Sequence, residues 1–133
     1  MEDFILESTI QTPSIHFSKN TGIMSISGRA IPNDPEEFWS DCLDWFDNYL
    51  SLPNSITEFR IDLEYFNISS SKRILFLLYK LNELVEKGLQ AKVNWFYKET
   101  DEDMHEVGQD YEYMVKVPFE FIAYRDIDLS LAY

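Results

Sequence analysis

The sequence predicts an α/β fold: a single domain over residues 1–133, built on one mixed β-sheet with an N-terminal hairpin and helices mainly on one face. Three observations carry this. With 133 residues and 45% hydrophobic content there is material for one core and too little for two. Segments of period two and period 3.6 alternate along the chain, the order expected of strand and helix units that pair strands in parallel. The middle strands alternate apolar with polar residues instead of running continuously apolar, so one face of the sheet stays wet.

Residues 4–31 read as strand, interrupted at Lys19-Asn20-Thr21-Gly22 by the residue types of a tight turn. A hairpin is expected, Ser14–Phe17 against residues 23–27, ending at Gly28 and Pro32, with His16 pointing out of an edge strand. Asp34-Pro35-Glu36-Glu37 then starts a helix: Asp34 as N-cap, Pro35 at the first helical position and Glu37 at the capping-box position. Phe38, Cys42, Trp45, Phe46 and Tyr49 recur at steps of three and four as its core face, with Asp41, Asp44, Asp47 and Asn48 outside. Residues 56–65 follow as a strand with Phe59, Ile61, Leu63 and Tyr65 inward and Glu58, Arg60, Asp62 and Glu64 outward.

The next helix starts near Ser69 or Ser70, carries Ile74, Leu77, Leu78, Leu81, Leu84 and Val85 as its stripe, and stops at Lys87-Gly88. Val93, Trp95 and Tyr97 then alternate with Lys92, Asn94 and Phe96 as a strand, completing a parallel βαβ unit. A third helix follows the acidic stretch at residues 99–103, with Met104, Val107, Tyr111 and Met114 at helical spacing and Gly108 in its middle. The last strand is expected at Phe119–Tyr124. On the open face, Arg60, Asp62, Glu64, Lys92 and Asn94 are either simply solvated or part of a docking surface.

The balance of 24 acidic against 11 basic residues, a net charge of −13, opposes nucleic acid and anionic membrane surfaces as partners. Cys42 is the only cysteine, so no internal disulfide forms and a reducing cytoplasm is the expected compartment. The first residues lack the basic region and apolar run of a signal peptide, and no segment has the length of a membrane span.

Catalytic sets are missing. The chain has four glycines, too scattered for a phosphate-binding loop, and two histidines, His16 and His105, with no second histidine at zinc-ligand spacing. Glu99, Asp101, Glu102 and Asp103 could attract a hard cation, but the glycine and ligand alternation of a calcium loop are absent, so neither metal nor cofactor is expected. An alternative reading keeps residues 99–103 as the site of a small-ligand-binding or enzymatic domain.

The chemistry-bearing stretch that remains is Tyr65-Phe66-Asn67-Ile68-Ser69-Ser70-Ser71-Lys72, where strand hands over to helix. Unpaired backbone N–H groups and the positive end of the helix dipole would favour a phosphate on one of these serines. Serine is equally the residue of an ordinary helix cap, and local chemistry leaves both readings open.

Several motifs in order resemble the SiaC-like bacterial regulatory phosphoproteins: Thr12-Pro13-Ser14-Ile15-His16-Phe17, Gly22-Ile23-Met24-Ser25-Ile26-Ser27-Gly28-Arg29, the helix start at residues 32–39, the Tyr65 to Lys72 stretch, Trp95-Phe96-Tyr97 with Asp101-Glu102-Asp103-Met104, and Val117-Pro118-Phe119. The resemblance implies a STAS-like fold and a non-enzymatic adaptor in cyclic-di-GMP signalling. Such an adaptor binds and activates a diguanylate cyclase when unphosphorylated, under a partner-switching serine/threonine kinase and a PP2C-type phosphatase. It further implies that Asn67, Ile68, Ser69, Ser70, Ser71 and Lys72 form the partner-binding segment. In the family's usual motif a threonine phosphoacceptor stands where this chain has Ile68. Ser69, the nearest hydroxyl at the helix start, is the expected acceptor; loss of the switch and an engineered residue at 68 are the other readings.

Overall fold

In the computed structural model, which describes residues 1–125, the alternating N-terminal segment forms β1 (Phe4–Leu6), β2 (Ser14–Phe17) and β3 (Ile23–Ala30). The hairpin forms with Ser14 opposite Ser27 and Phe17 opposite Met24. β1 pairs with the outer side of β2. His16 is therefore exposed on an inner strand, not the edge strand expected, and its Nε2 lies 2.9 Å from the Asp3 carboxylate. β3 also outruns its expected end, because Gly28 takes φ +110 and lets the chain bend while pairing continues to Ala30.

The remaining elements are α1 (Pro35–Ser51), β4 (Ile56–Phe66), α2 (Ile68–Glu86), β5 (Gln90–Lys98), α3 (Glu102–Met114) and β6 (Phe119–Tyr124). Their starts follow local chemistry. Asp34 accepts from the Glu37 N–H at 3.1 Å and Asp101 from the Met104 N–H at 3.0 Å, each relieving an orphan donor of its helix. α2 ends where Gly88, at φ +80, donates to the Val85 carbonyl and Leu89 donates to that of Leu84, the paired bonds of a glycine stop.

The six strands lie in sequence order. β1, β2 and β3 are antiparallel, whereas β3 to β6 run parallel with one helix in each connection. All three helices cover the same face. Register sets Met24, Phe59, Val93 and Phe119 side by side, with Ile26, Ile61, Trp95 and Phe121 in the next row. Phe46 of α1 meets Phe17 and Phe59, and Tyr111 of α3 meets Trp95. Ile74, Leu77, Leu78, Leu81 and Leu84 of α2 are buried between them, each contributing about 1.5–3 kcal/mol of transfer free energy.

Several side chains depart from the expected faces. Trp39, absent from the expected α1 stripe, is fully buried, while Phe38 and Trp45 are only partly so. Tyr65, expected inward, is 54% exposed. Leu63 pairs with Gly28 and Tyr65 with Arg29, so Glu64 has no partner on β3; this extra residue reverses the alternation and turns Phe66 toward the core instead.

Candidate functional site

The handover from β4 to α2 is held from three sides. Asn67 donates its N–H to the Ala30 carbonyl at 3.0 Å, tying the junction to β3. Its side-chain oxygen accepts from the Ser70 N–H at 2.9 Å, so the cap is Asn67 and α2 begins at Ile68, one or two residues before the start expected at Ser69 or Ser70. Trp39 of α1 donates its indole N–H to Ser70 Oγ at 3.0 Å, and Tyr111 of α3 donates its hydroxyl to the Ser71 carbonyl at 2.9 Å. Burial holds the Tyr111 phenol well above the usual tyrosine range and outweighs the opposing influence of the Ser71 contact.

These contacts sort the hydroxyls. Ser70 is buried, with its Oγ occupied by Trp39. Ser71 is half-buried and gives its hydroxyl proton to the Ile68 carbonyl at 2.6 Å. Ser69 is exposed on the first turn, as is Lys72. Ile68 stands 79% exposed as the first helical residue, an unusual display for a large aliphatic side chain. The first turns of α1 and α3 each carry two carboxylates, Glu36 and Glu37, and Glu102 and Asp103; that of α2 carries none. Its dipole is thus left uncompensated where Ser69 sits, the electrostatic setting that suits an added anion.

Beside this turn, between α2 and α3, runs a groove of about 310 Å³ whose apolar wall includes Phe66, Ile68, Val107, Tyr111 and Met114. Met114, expected in the α3 core stripe, is 52% exposed at its edge. Gly108, the weak point of that helix in sequence terms, has a packing reason: it is buried where a Cβ would fall 2.5 Å from Trp95 Nε1 and 2.8 Å from the Phe121 ring.

The acidic stretch has structural employment. Asp101 caps α3 and Glu99 pairs with Arg125 at 3.2 Å. Among the described residues no group of three or more His, Cys, Asp or Glu side chains is placed to hold a metal ion. A larger cavity, about 500 Å³ at the start of β4 and β5, is lined mainly by aliphatic groups such as Val85, Leu89 and Pro118. On the open sheet face Glu58 accepts from Arg60 and Asn94; burial raises its carboxyl, but the Asn94 hydrogen bond and the Arg60 and Lys92 charges outweigh this and hold it low. Cys42 is buried and its thiol is pushed far up by desolvation, which makes it inert. No helix among the described residues is long and apolar enough to cross a membrane.

Trp39 and Tyr111, which clamp the turn, were not singled out as site residues by sequence. Only the need of a buried indole or phenol for a polar partner hints at such a role.

The fold and junction define a small α/β domain whose distinctive surface is an exposed helix start. Residues 6–124 match the SiaC family regulatory phosphoprotein, and the chain belongs to that family. It is similar to a protein of Pseudomonas aeruginosa at 26% identity over 124 residues, covering 93% of this chain and 98% of that one. It also superimposes on SiaC of Pseudomonas aeruginosa in a crystal structure with the diguanylate cyclase SiaD, which SiaC activates, at a TM-score of 0.87 and 25% identity, covering 92% of this chain and all of that one. Apo-SiaC from the same organism gives 0.85 at 25% identity, again over 92% of this chain and all of that one.

Proposed function

We propose that this chain is a non-enzymatic cytoplasmic adaptor, a single regulatory domain over residues 1–133, that binds and activates a diguanylate cyclase while its α2 start is unphosphorylated. A partner-switching serine/threonine kinase places a phosphate on Ser69 and a PP2C-type phosphatase removes it. Asn67, Ile68, Ser69, Ser70, Ser71 and Lys72 form the segment these partners read, with Asn67 and Ser70 holding its shape and Ile68, Ser69 and Lys72 meeting the partner. The observation that carries the reading is the exposure of Ser69 on a helix start that, alone among those of the described residues, has no carboxylate in its first turn, in a chain of the SiaC family. A phosphate there brings nearly two negative charges and three acceptor oxygens one turn from Lys72.

The test pairs mass with activity. Incubation with the kinase and ATP is expected to add one phosphate to the wild-type chain and none to Ser69→Ala. Ser69→Asp should lower cyclase stimulation while Ser69→Ala retains it. An unchanged intact mass after kinase treatment sinks the Ser69 assignment. Absence of cyclase binding by the untreated chain sinks the adaptor reading as a whole.

A further inference from the structure

The groove between α2 and α3 continues the exposed junction, and its two rims differ in charge. The α3 rim carries the exposed Asp110, Asp103 and Glu106 are exposed earlier on the same helix, and no lysine or arginine occurs anywhere in it. The α2 rim carries the exposed Lys72 one turn beyond Ile68. Between them lie Ile68, 79% exposed, and Met114, 52% exposed, beside Val107. Large aliphatic groups held in water around a preformed groove of about 310 Å³ mark a surface that is covered in use.

We infer that this groove docks an amphipathic helix of a protein partner, its apolar stripe seated on Ile68, Val107 and Met114, a basic flank facing the Asp110 rim and an acidic flank facing Lys72. A helix fits because the groove lies between two helices and its anchors extend over two turns of α3, from Val107 to Met114. A second copy of this chain is the poorer occupant. Its net charge of −13 repels an identical surface, and its own α3 brings acid to acid.

The two-sided charge pattern also gives phosphorylation its sign. A phosphate on Ser69, one turn before Lys72, sets nearly two negative charges against that single positive one and turns the α2 rim from basic to acidic. The acidic flank of the docked helix is then repelled, so the modification releases the partner.

The inference rests on the adaptor reading and is tested with the intact cyclase by calorimetry at low and high salt. The wild-type chain is expected to bind. Met114→Asp should weaken binding by about 30-fold or more, since it puts a charge in the apolar centre. Asp110→Lys and Lys72→Glu should each weaken it about tenfold at low salt, the losses shrinking as salt rises. All three positions are exposed, and unchanged melting temperatures check that the fold is kept. If the wild type binds and all three variants bind within twofold of it, the groove inference is overturned while the adaptor reading stands. If the wild type fails to bind, both fall. A wild-type dimer in sedimentation that Met114→Asp splits overturns the partner helix in favour of a second copy.

Discussion

Replacing Gly108 with alanine sets two well-understood effects against each other. In an exposed helix interior the change gains about 1 kcal/mol of propensity. Here the new Cβ would fall 2.5 Å from Trp95 Nε1, 2.6 Å from its Cδ1 and 2.8 Å from Phe121 Cε1. Trp95 is buried and has no room to swing away. Forcing it aside costs about 1–3 kcal/mol in overpacking. Its indole N–H also donates to the Met104 carbonyl at 3.0 Å, and leaving that buried donor unmet costs about another 1–3 kcal/mol. The crowding wins, giving a net loss of about 1–5 kcal/mol, or roughly 4–18 °C in melting temperature for a domain of this size. Thermal and urea unfolding followed by tryptophan fluorescence would read it. A Gly108→Ala protein as stable as wild type, or more so, would show that the Trp95 ring is not pinned and that α3 does not rest on β5 as described. Gly88→Ala is the matched comparison: nothing lies within 4 Å of its Cβ position, yet φ +80 makes it cost about 1–2 kcal/mol through the backbone alone.

Asn67→Ala removes the α2 cap and should cost about 1 kcal/mol, whereas Asn67→Asp should keep the stability, both read from urea midpoints; equal losses for the two would refute the capping role. Tyr111 titrates in the fold above the ordinary tyrosine value of about 10. Its neutral form is therefore favoured by folding, the stabilisation is complete below pH 10, and it is lost as pH rises through the folded value. Tyr111→Phe should lose about 1 kcal/mol at pH 7 with the Ser71 hydrogen bond, and then decline less steeply than wild type between pH 9 and 11; parallel declines would refute the assignment. Cys42 should resist iodoacetamide in the folded protein and react fully in urea, as mass spectrometry would register, and rapid native labelling would contradict its burial.

The elements that sequence predicts well are those whose signals are local. Asp34 and Asp101 announce their helices because a capping carboxylate needs only the three residues after it. The hairpin and the α2 stripe are legible for the same reason, turn chemistry in one case and a five-leucine or isoleucine period in the other. What sequence misplaces depends on distant partners. Serine is a good cap in isolation, so Asn67 is passed over; yet Ser70 is claimed by Trp39, thirty-one residues earlier in the chain. Gly108 reads as a weakness until Trp95 is set against it. At the site, the segment itself was legible from residue types, but which serine meets water was not, because that is decided by neighbouring helices.

Glu64 has no counterpart on β3, and the outward turn of Tyr65 and the inward turn of Phe66 just before the junction follow from that one uncounted residue. Its side chain is exposed, so exchanging it for another polar residue should change little. Deleting it is a different matter. The ladder would close up, the residues that follow on β4 would rotate to the opposite face, and the exposed isoleucine at the helix start would lose its place at the surface. The position is thus free in chemistry and fixed in length, so among functional relatives of this chain substitutions at residue 64 should be common and gaps there absent.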